Sequence, residues 1–276
     1  MSFINIKLCF YITVDNMPEG PECHLAALHL EQICKDKLIT SIDIHGGRYQ
    51  KHGPFDGFDT LKIHINEGTS RVKGVGSRGK LIIMFFDNSW CILCTLGLKG
   101  ARTSKKTKHC DVSIDVDAKQ RLWFKDQMHY GTLKYVDLEE TICKMKSLGP
   151  DVTVKDKAFT QDYLRALLHK YPKWDLAKLL MDQSKMSGIG NYLKAEILYR
   201  CKLAPMRMCE TLLENEIIDL HRAILDIPYA YWHSYIGGPT IYIQVYNKKK
   251  DKLGFTVEKC KTKDGRTSHW VPGVQK

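Results

Sequence analysis

The segment Met17-Pro-Glu-Gly-Pro-Glu22 places a proline directly before a carboxylate and within reach of a second. Read locally, two prolines around a glycine make a turn into a helix. If a chain begins at Met17 and loses that methionine, the segment gains different chemistry, because Pro18 then exposes a secondary α-amine beside Glu19 and Glu22. An α-amine with a pKa of about 8 is neutral in roughly one molecule in ten at pH 7, whereas lysine is neutral in roughly one of a few thousand. Attack of such an amine on a sugar C1′ gives an iminium with no N–H to lose. That cation persists as an electron sink for elimination at the next carbon. A neighbouring carboxylic acid can protonate and open the sugar ring.

Other residues offer weaker signals. Lys80, in Ser77-Arg-Gly-Lys80, stands before an apolar run; alone it reads as a solvated lysine at a strand end. Gly188-Ile-Gly190-Asn191 opens an amphipathic segment whose free N–H groups suit a phosphate, with glycines that let a backbone approach. By itself Gly-x-Gly is more often a helix cap. Glu196 and Arg200 are spaced to pair at i, i+4. Cys91 and Cys94 are the chain's one CxxC; they sit in an apolar strand and face opposite ways, which makes them core residues.

The chain has 276 residues, 43% of them apolar, enough for one large domain or two ordinary ones. Its 42 Lys and Arg exceed 31 Asp and Glu by 11, which favours a polyanionic partner, nucleic acid first. From Tyr246 to Lys276 nine Lys or Arg face three Asp or Glu, so this tail carries +6 of the net +11. Ten irregularly spaced cysteines and no secretion signal fit a reducing intracellular compartment. No run approaches the roughly 20 apolar residues that span a bilayer.

These groups need a scaffold, and the hydrophobic periods supply one. Pro21 can open a helix with Ala26, Leu30 and Ile33 on one face. From Leu38 to about Val136 the pattern is β-like, with runs at Leu61–Ile65, Leu81–Phe86, Trp90–Leu96 and Val112–Val116. After Leu148-Gly-Pro150 the period becomes helical, with candidates from Phe159 to Lys170, Leu176 to Asp182, Gly188 to Arg200 and Glu210 to Asp226. Alternation returns from Ile241, and Lys263-Asp-Gly265 marks a hairpin turn between Thr256–Thr262 and Arg266–Val271. The order predicts an α+β chain of two domains side by side.

The segment Met17–Glu22 with His24-Leu-Ala26 resembles the start of the formamidopyrimidine-DNA glycosylase and endonuclease VIII family. Ser77–Lys80, Leu148-Gly-Pro-Asp-Val152 and Leu179-Leu-Met-Asp-Gln183 leading to Gly188–Arg200 resemble it further, and the last looks most like the vertebrate endonuclease VIII-like proteins. The resemblance implies an extension at 1–17 absent from the active protein, an N-terminal β-sandwich catalytic domain with an N-terminal helix at 18–147, and a helix-two-turn-helix DNA-binding domain at 148–237. A zincless β-hairpin finger follows at 238–276.

It also assigns roles. Pro18 would be the nucleophile and Schiff-base former, Glu19 the acid that opens the deoxyribose, and Lys80 a proton donor in β-elimination. Asn191 would bind DNA phosphate, and Arg266 would grip the phosphates flanking the extruded nucleotide and assist δ-elimination. His109 matches a DNA-contacting histidine. Leu98, Met128 and Tyr130 would fill the void left by the flipped base, with Leu98 in place of a methionine wedge, Met128 in place of an arginine and Tyr130 in place of a phenylalanine. Weak selection for cytosine opposite the lesion follows. Many relatives carry a four-cysteine zinc site in the C-terminal hairpin, but here only Cys260 and His269 are at hand, so no zinc and no other cofactor is expected.

Ala177 falls where the purine-acting branch carries a lysine, and Lys178 is shifted by one. The implied activity is therefore a bifunctional DNA glycosylase and abasic-site lyase of base excision repair. It would remove mainly oxidised pyrimidines, with ring-opened purines or hydantoins, and cleave by β,δ-elimination. The expected partner is damaged DNA, double-stranded with single strands left open, bound by a monomer inside the cell. Two alternatives stand beside it: a non-catalytic binder of damaged DNA if residues 1–17 are retained, since an acylated Pro18 nitrogen has no nucleophilic lone pair, and an 8-oxoguanine-directed glycosylase.

Overall fold

Helix α1 (Gly20–Cys34) buries Cys23, Ala27, Leu30 and Cys34, a stripe at i, i+4, i+7 and i+11. The stripe is turned one position from the expected Ala26, Leu30 and Ile33. Ala26 and Ile33 flank it, half-buried, while small Cys and Ala side chains take the centre. The computed structural model describes residues 18–95, 110–117, 120–125 and 131–276, with the backbone of 98–101.

The chain forms two compact units, Pro18 with Glu22–Ser147 and Glu19–Pro21 with Leu148–Lys276. In the first, β1 (Ile39–Ile44) is followed by α2 (Gly47–His52) and α3 (Phe58–Asn66). Strands β2 (Val72–Arg78), β3 (Leu81–Phe86), β4 (Trp90–Thr95), β5 (Leu98–Ala101), β6 (Cys110–Val116), β7 (Gln120–Lys125) and β8 (Thr132–Asp137) come next, then α4 (Leu138–Lys146). Two antiparallel four-stranded sheets result, ordered β1-β6-β7-β5 and β2-β3-β4-β8. Ile42, Val112, Ile114 and Phe124 of one sheet share a core with Ile82, Met84, Ile92 and Tyr135 of the other, and the helix stripe completes it. This is the expected β-sandwich with its N-terminal helix.

Leu61–Ile65 is not a strand but the middle of α3. Its apparent alternation misleads because Phe58, Leu61 and Ile65 face the core at helical spacing while Ile63 is exposed. Cys91 and Cys94 are both fully buried, as their opposite orientations in a strand covered on both faces require.

The second unit holds α5 (Gln161–Lys170), α6 (Leu176–Met181), α7 (Asn191–Arg200) and α8 (Glu214–Tyr235), then β9 (Glu258–Lys261) and β10 (Thr267–Trp270). Helix α8 outruns the expected end at Asp226 and passes through Pro228. Leu220, Ile224, Pro228 and Tyr231 form one buried stripe, so packing outweighs the lost backbone bond. Between Ile241 and Val257 the expected alternation yields only a bridge between Lys250 and Thr256. No described helix is long and apolar enough to cross a membrane.

Candidate active site and nucleic-acid interface

Glu19 is buried, and its carboxylate sits at the start of α7. Oε2 accepts from the backbone N–H of Gly190 at 2.7 Å and of Leu193 at 3.1 Å, and Oε1 accepts from Tyr192 N–H at 2.8 Å. A helix N-terminus presents unpaired N–H groups and a positive dipole end, so an anion there is doubly favoured. The sequence suggested a phosphate for these amides; the anion that occupies three of them is the chain's own Glu19. Gly188 O accepts from Gly20 N–H at 2.8 Å, which pins the residue after Glu19 to the same loop. Gly190 has a steric reason to be glycine, because a Cβ there would lie 2.2 Å from Glu19 Cδ.

Pro18, next in the chain, is half-buried. Lys80 lies in the other unit, at the two-residue turn joining β2 to β3, where Arg78 pairs with Leu81. Gly79 takes a positive φ of 56° at the first turn position, leaving Lys80 at the tip, half-buried. Helix α1 holds that hairpin twice. Cys23 Sγ donates to Lys80 O at 3.6 Å, and His24 Nδ1 and Ser77 Oγ share a hydrogen bond of 2.9 Å.

Asn191, the first residue of α7, is half-buried and donates from Nδ2 to Thr267 O of β10 at 3.0 Å. Its buried Oδ1 has no hydrogen-bond partner. Arg266 stands exposed just before β10. Its N–H donates to Asp264 Oδ1 at 3.2 Å, which also accepts from Thr262 Oγ1 at 2.6 Å. Asp264 Oδ2 receives Lys194 Nζ at 2.6 Å, and the two side chains are 4% and 0% exposed. Burial would raise Asp264, but the hydrogen bonds from Lys194 and Thr262 outweigh it and hold the carboxyl below 3.8. Burial pushes the Lys194 ammonium down, while Asp264 and Glu19 pull the other way.

The turn is tied from a second side as well. Buried Asp175 caps α6 by accepting from Lys178 N–H at 2.8 Å and takes Lys263 N–H on its other oxygen at 2.9 Å. Behind the turn, Val271 packs with Ala195 of α7 and Val245. Sequence reasoning missed Lys194, Asp175 and Asp264 as a set. The available signal was a lysine whose helical neighbours at i+3 and i+4, Ile197 and Leu198, are apolar.

Glu196 does not pair with Arg200. It is buried and accepts from the backbone N–H groups of Gln244, Val245 and Tyr246 at 2.8 to 3.0 Å, so it ties the segment before the hairpin to α7. Ala177 is fully buried in α6, and Lys178 Nζ lies over the Trp174 ring at 4.3 Å. Leu98 pairs with Phe124 through the backbone, but its side chain, together with His109, Met128 and Tyr130, lies outside the described residues.

The hairpin does not suit a tetrahedral metal. Cys260 is opposite Ser268 and His269 is opposite Lys259, so Cys260 and His269 project to opposite faces. The His269 ring is buried edge-on against Tyr246, 4.8 Å between centroids. No cluster of three or more metal-ligating side chains occurs among the described residues.

Comparison with known proteins accords with this geometry. The formamidopyrimidine-DNA glycosylase N-terminal domain matches residues 17–133, and the formamidopyrimidine-DNA glycosylase H2TH domain matches residues 148–229. Endonuclease 8 of Pectobacterium atrosepticum is 26% identical over 281 residues, covering 94% of this chain and all of that protein. Formamidopyrimidine-DNA glycosylase of Lactiplantibacillus plantarum is 27% identical over 217 residues, 76% of each chain. Among solved structures, Lactococcus lactis formamidopyrimidine-DNA glycosylase bound to DNA with an abasic site superposes with a TM-score of 0.80 at 25% identity, covering 94% of this chain and 99% of that one. The same enzyme with DNA holding an oxidised pyrimidine gives 0.77 at 26% identity, covering 94% and 100%. With both domain types in order, this chain belongs to the formamidopyrimidine-DNA glycosylase and endonuclease VIII family of DNA glycosylases with abasic-site lyase activity.

Proposed function

We propose that this chain is a bifunctional base-excision enzyme that works through the α-amine of Pro18 once residues 1–17 are removed, and that it acts mainly on oxidised pyrimidines. The observation that carries the reading is the grip on Glu19 by three backbone amides, those of Gly190 just before α7 and of Tyr192 and Leu193 in its first turn, which fixes the chain immediately beside Pro18. The Pro18 nitrogen attacks C1′ as the bond to the damaged base breaks, while Glu19 assists opening of the sugar ring. The resulting iminium acidifies C2′; transfer of that proton to water drives the electron pair toward C3′ and expels the 3′ phosphate, whose departing oxygen Lys80 protonates. A second elimination, assisted by Arg266, releases the 5′ phosphate, and water then frees the amine. Asn191, Arg266 and the basic hairpin grip phosphates.

Substrate preference rests on α6. With Ala177 buried and Lys178 held over Trp174, no lysine is offered where the purine-acting branch is expected to carry one, which favours oxidised pyrimidines, ring-opened purines and hydantoins over 8-oxoguanine. The Lactococcus lactis enzyme in complex with DNA containing an oxidised pyrimidine is consistent with this reading. The opposed faces of Cys260 and His269 support a hairpin held by packing and the buried Lys194–Asp264 ion pair, without zinc. Expressed from Met17, the protein should excise thymine glycol from a duplex at least tenfold faster than 8-oxoguanine. The reverse order would refute the substrate assignment, and binding without excision would leave a damage-binding protein.

A further inference from the structure

The carboxylate of Asp264 does two jobs at once. One oxygen holds the backbone N–H of Arg266 at 3.2 Å and the other is held by Lys194 Nζ at 2.6 Å. Lys194 follows directly after Tyr192 and Leu193, whose N–H groups cradle Glu19, and its charge acts on both Glu19 and Arg266. A single helical turn thus carries the Glu19 socket on its backbone and the Arg266 anchor on a side chain. Nothing in helix packing calls for an ammonium here, since a leucine or methionine would fill a fully buried position at less desolvation cost. The cost is offset only by what the ammonium holds in place.

We propose that Lys194 is a positioning residue, acting through Asp264 to set Arg266 in register with the Glu19 end of α7. The proposal rests on the assignment of Arg266 to phosphate contact and δ-elimination. In zinc-bearing relatives a metal can fix such a turn; here the buried Lys194–Asp264 pair does so, and Asp175 braces the turn through Lys263 N–H. Lys194 touches no substrate, so its removal should degrade what Arg266 does and spare the attack by Pro18.

The test is a double-mutant cycle on a duplex with a preformed abasic site, using protein that begins at Pro18. Products of β- and δ-elimination are quantified separately, and borohydride trapping at saturating enzyme reports Pro18. Lys194→Met and Asp264→Asn should each lower δ-elimination by the factor that Arg266→Ala produces, tenfold or more. Each should add less than about twofold on an Arg266→Ala background, with trapping unchanged within about twofold. If a single variant melts out, Lys194→Met combined with Asp264→Leu removes both charges together and should show the same selective loss. Full δ-elimination in folded Lys194→Met would overturn the proposal, as would a loss that multiplies with Arg266→Ala or extends equally to trapping. An Arg266→Ala protein with unaltered δ-elimination and DNA binding would instead remove the reading of Arg266 on which the proposal stands.

Discussion

Glu19 and Gly190 fit as plug and socket: the carboxylate fills the space that a side chain at 190 would need, and the Gly190 N–H donates to it. Gly190→Ala should therefore expel Glu19 from the helix end. The cost of overpacking is about 1–3 kcal/mol, and base excision should fall at least tenfold because Glu19 leaves its place beside Pro18. Thermal melting with single-turnover excision checks both halves. Normal excision in a folded Gly190→Ala protein would contradict the arrangement.

Glu19→Gln keeps the shape but replaces one accepting oxygen with a donor facing helix N–H groups. Loss of a general acid or base group of this kind lowers rates by roughly 10²–10⁴. Single-turnover release of the damaged base is the measure, and a fall of less than threefold would argue against any chemical role for this carboxylate.

Asp264 and His269 make the hairpin sensitive to acid in two separate windows. Burial holds His269 below its ordinary 6.5. The unfolded chain takes that proton near pH 6.5 while the folded one resists, so stability declines as pH falls through 6.5 toward the folded value. Asp264, held below 3.8, contributes stability that is complete above 3.8 and lost beneath it. His29 shifts in the same direction as His269, so the informative quantity is the difference between proteins. His269→Phe should flatten the melting profile as pH falls below 6.5 relative to the parent.

Arg266 is exposed, and its proposed partner is a phosphate. Arg266→Ala should weaken binding to damaged and undamaged duplexes alike and reduce the slope of log K against log salt by about one. Fluorescence anisotropy across a salt series reads this directly. An unchanged slope would place the arginine off the DNA.

Much of the fold was legible because it depends on hydrophobic period. The strands at Leu81–Phe86, Trp90–Thr95 and Val112–Val116 and the helices α5 to α7 lie where periods of two and 3.6 indicate. Leu61–Ile65 misled because in nine residues one exposed isoleucine can imitate alternation. The helix expected to end at Asp226 runs on to Tyr235, because the buried stripe continues through Pro228 to Tyr231. For the site, the sequence named Glu19, Lys80, Asn191 and Arg266 but could not say what each touches. That Glu19, and not a phosphate, caps α7, and that Lys194 reaches Asp264, depends on contacts 171 to 174 and 70 residues apart along the chain.

The central claim is that a free Pro18 amine forms the covalent intermediate. Protein starting at Pro18 and protein retaining residues 1–17 should be incubated with a duplex containing an abasic site under borohydride, and the trapped peptide identified by mass. The account predicts a reduced adduct on Pro18 in the first protein and none in the second. An adduct of equal yield on the longer chain, or one located on a lysine, would contradict it.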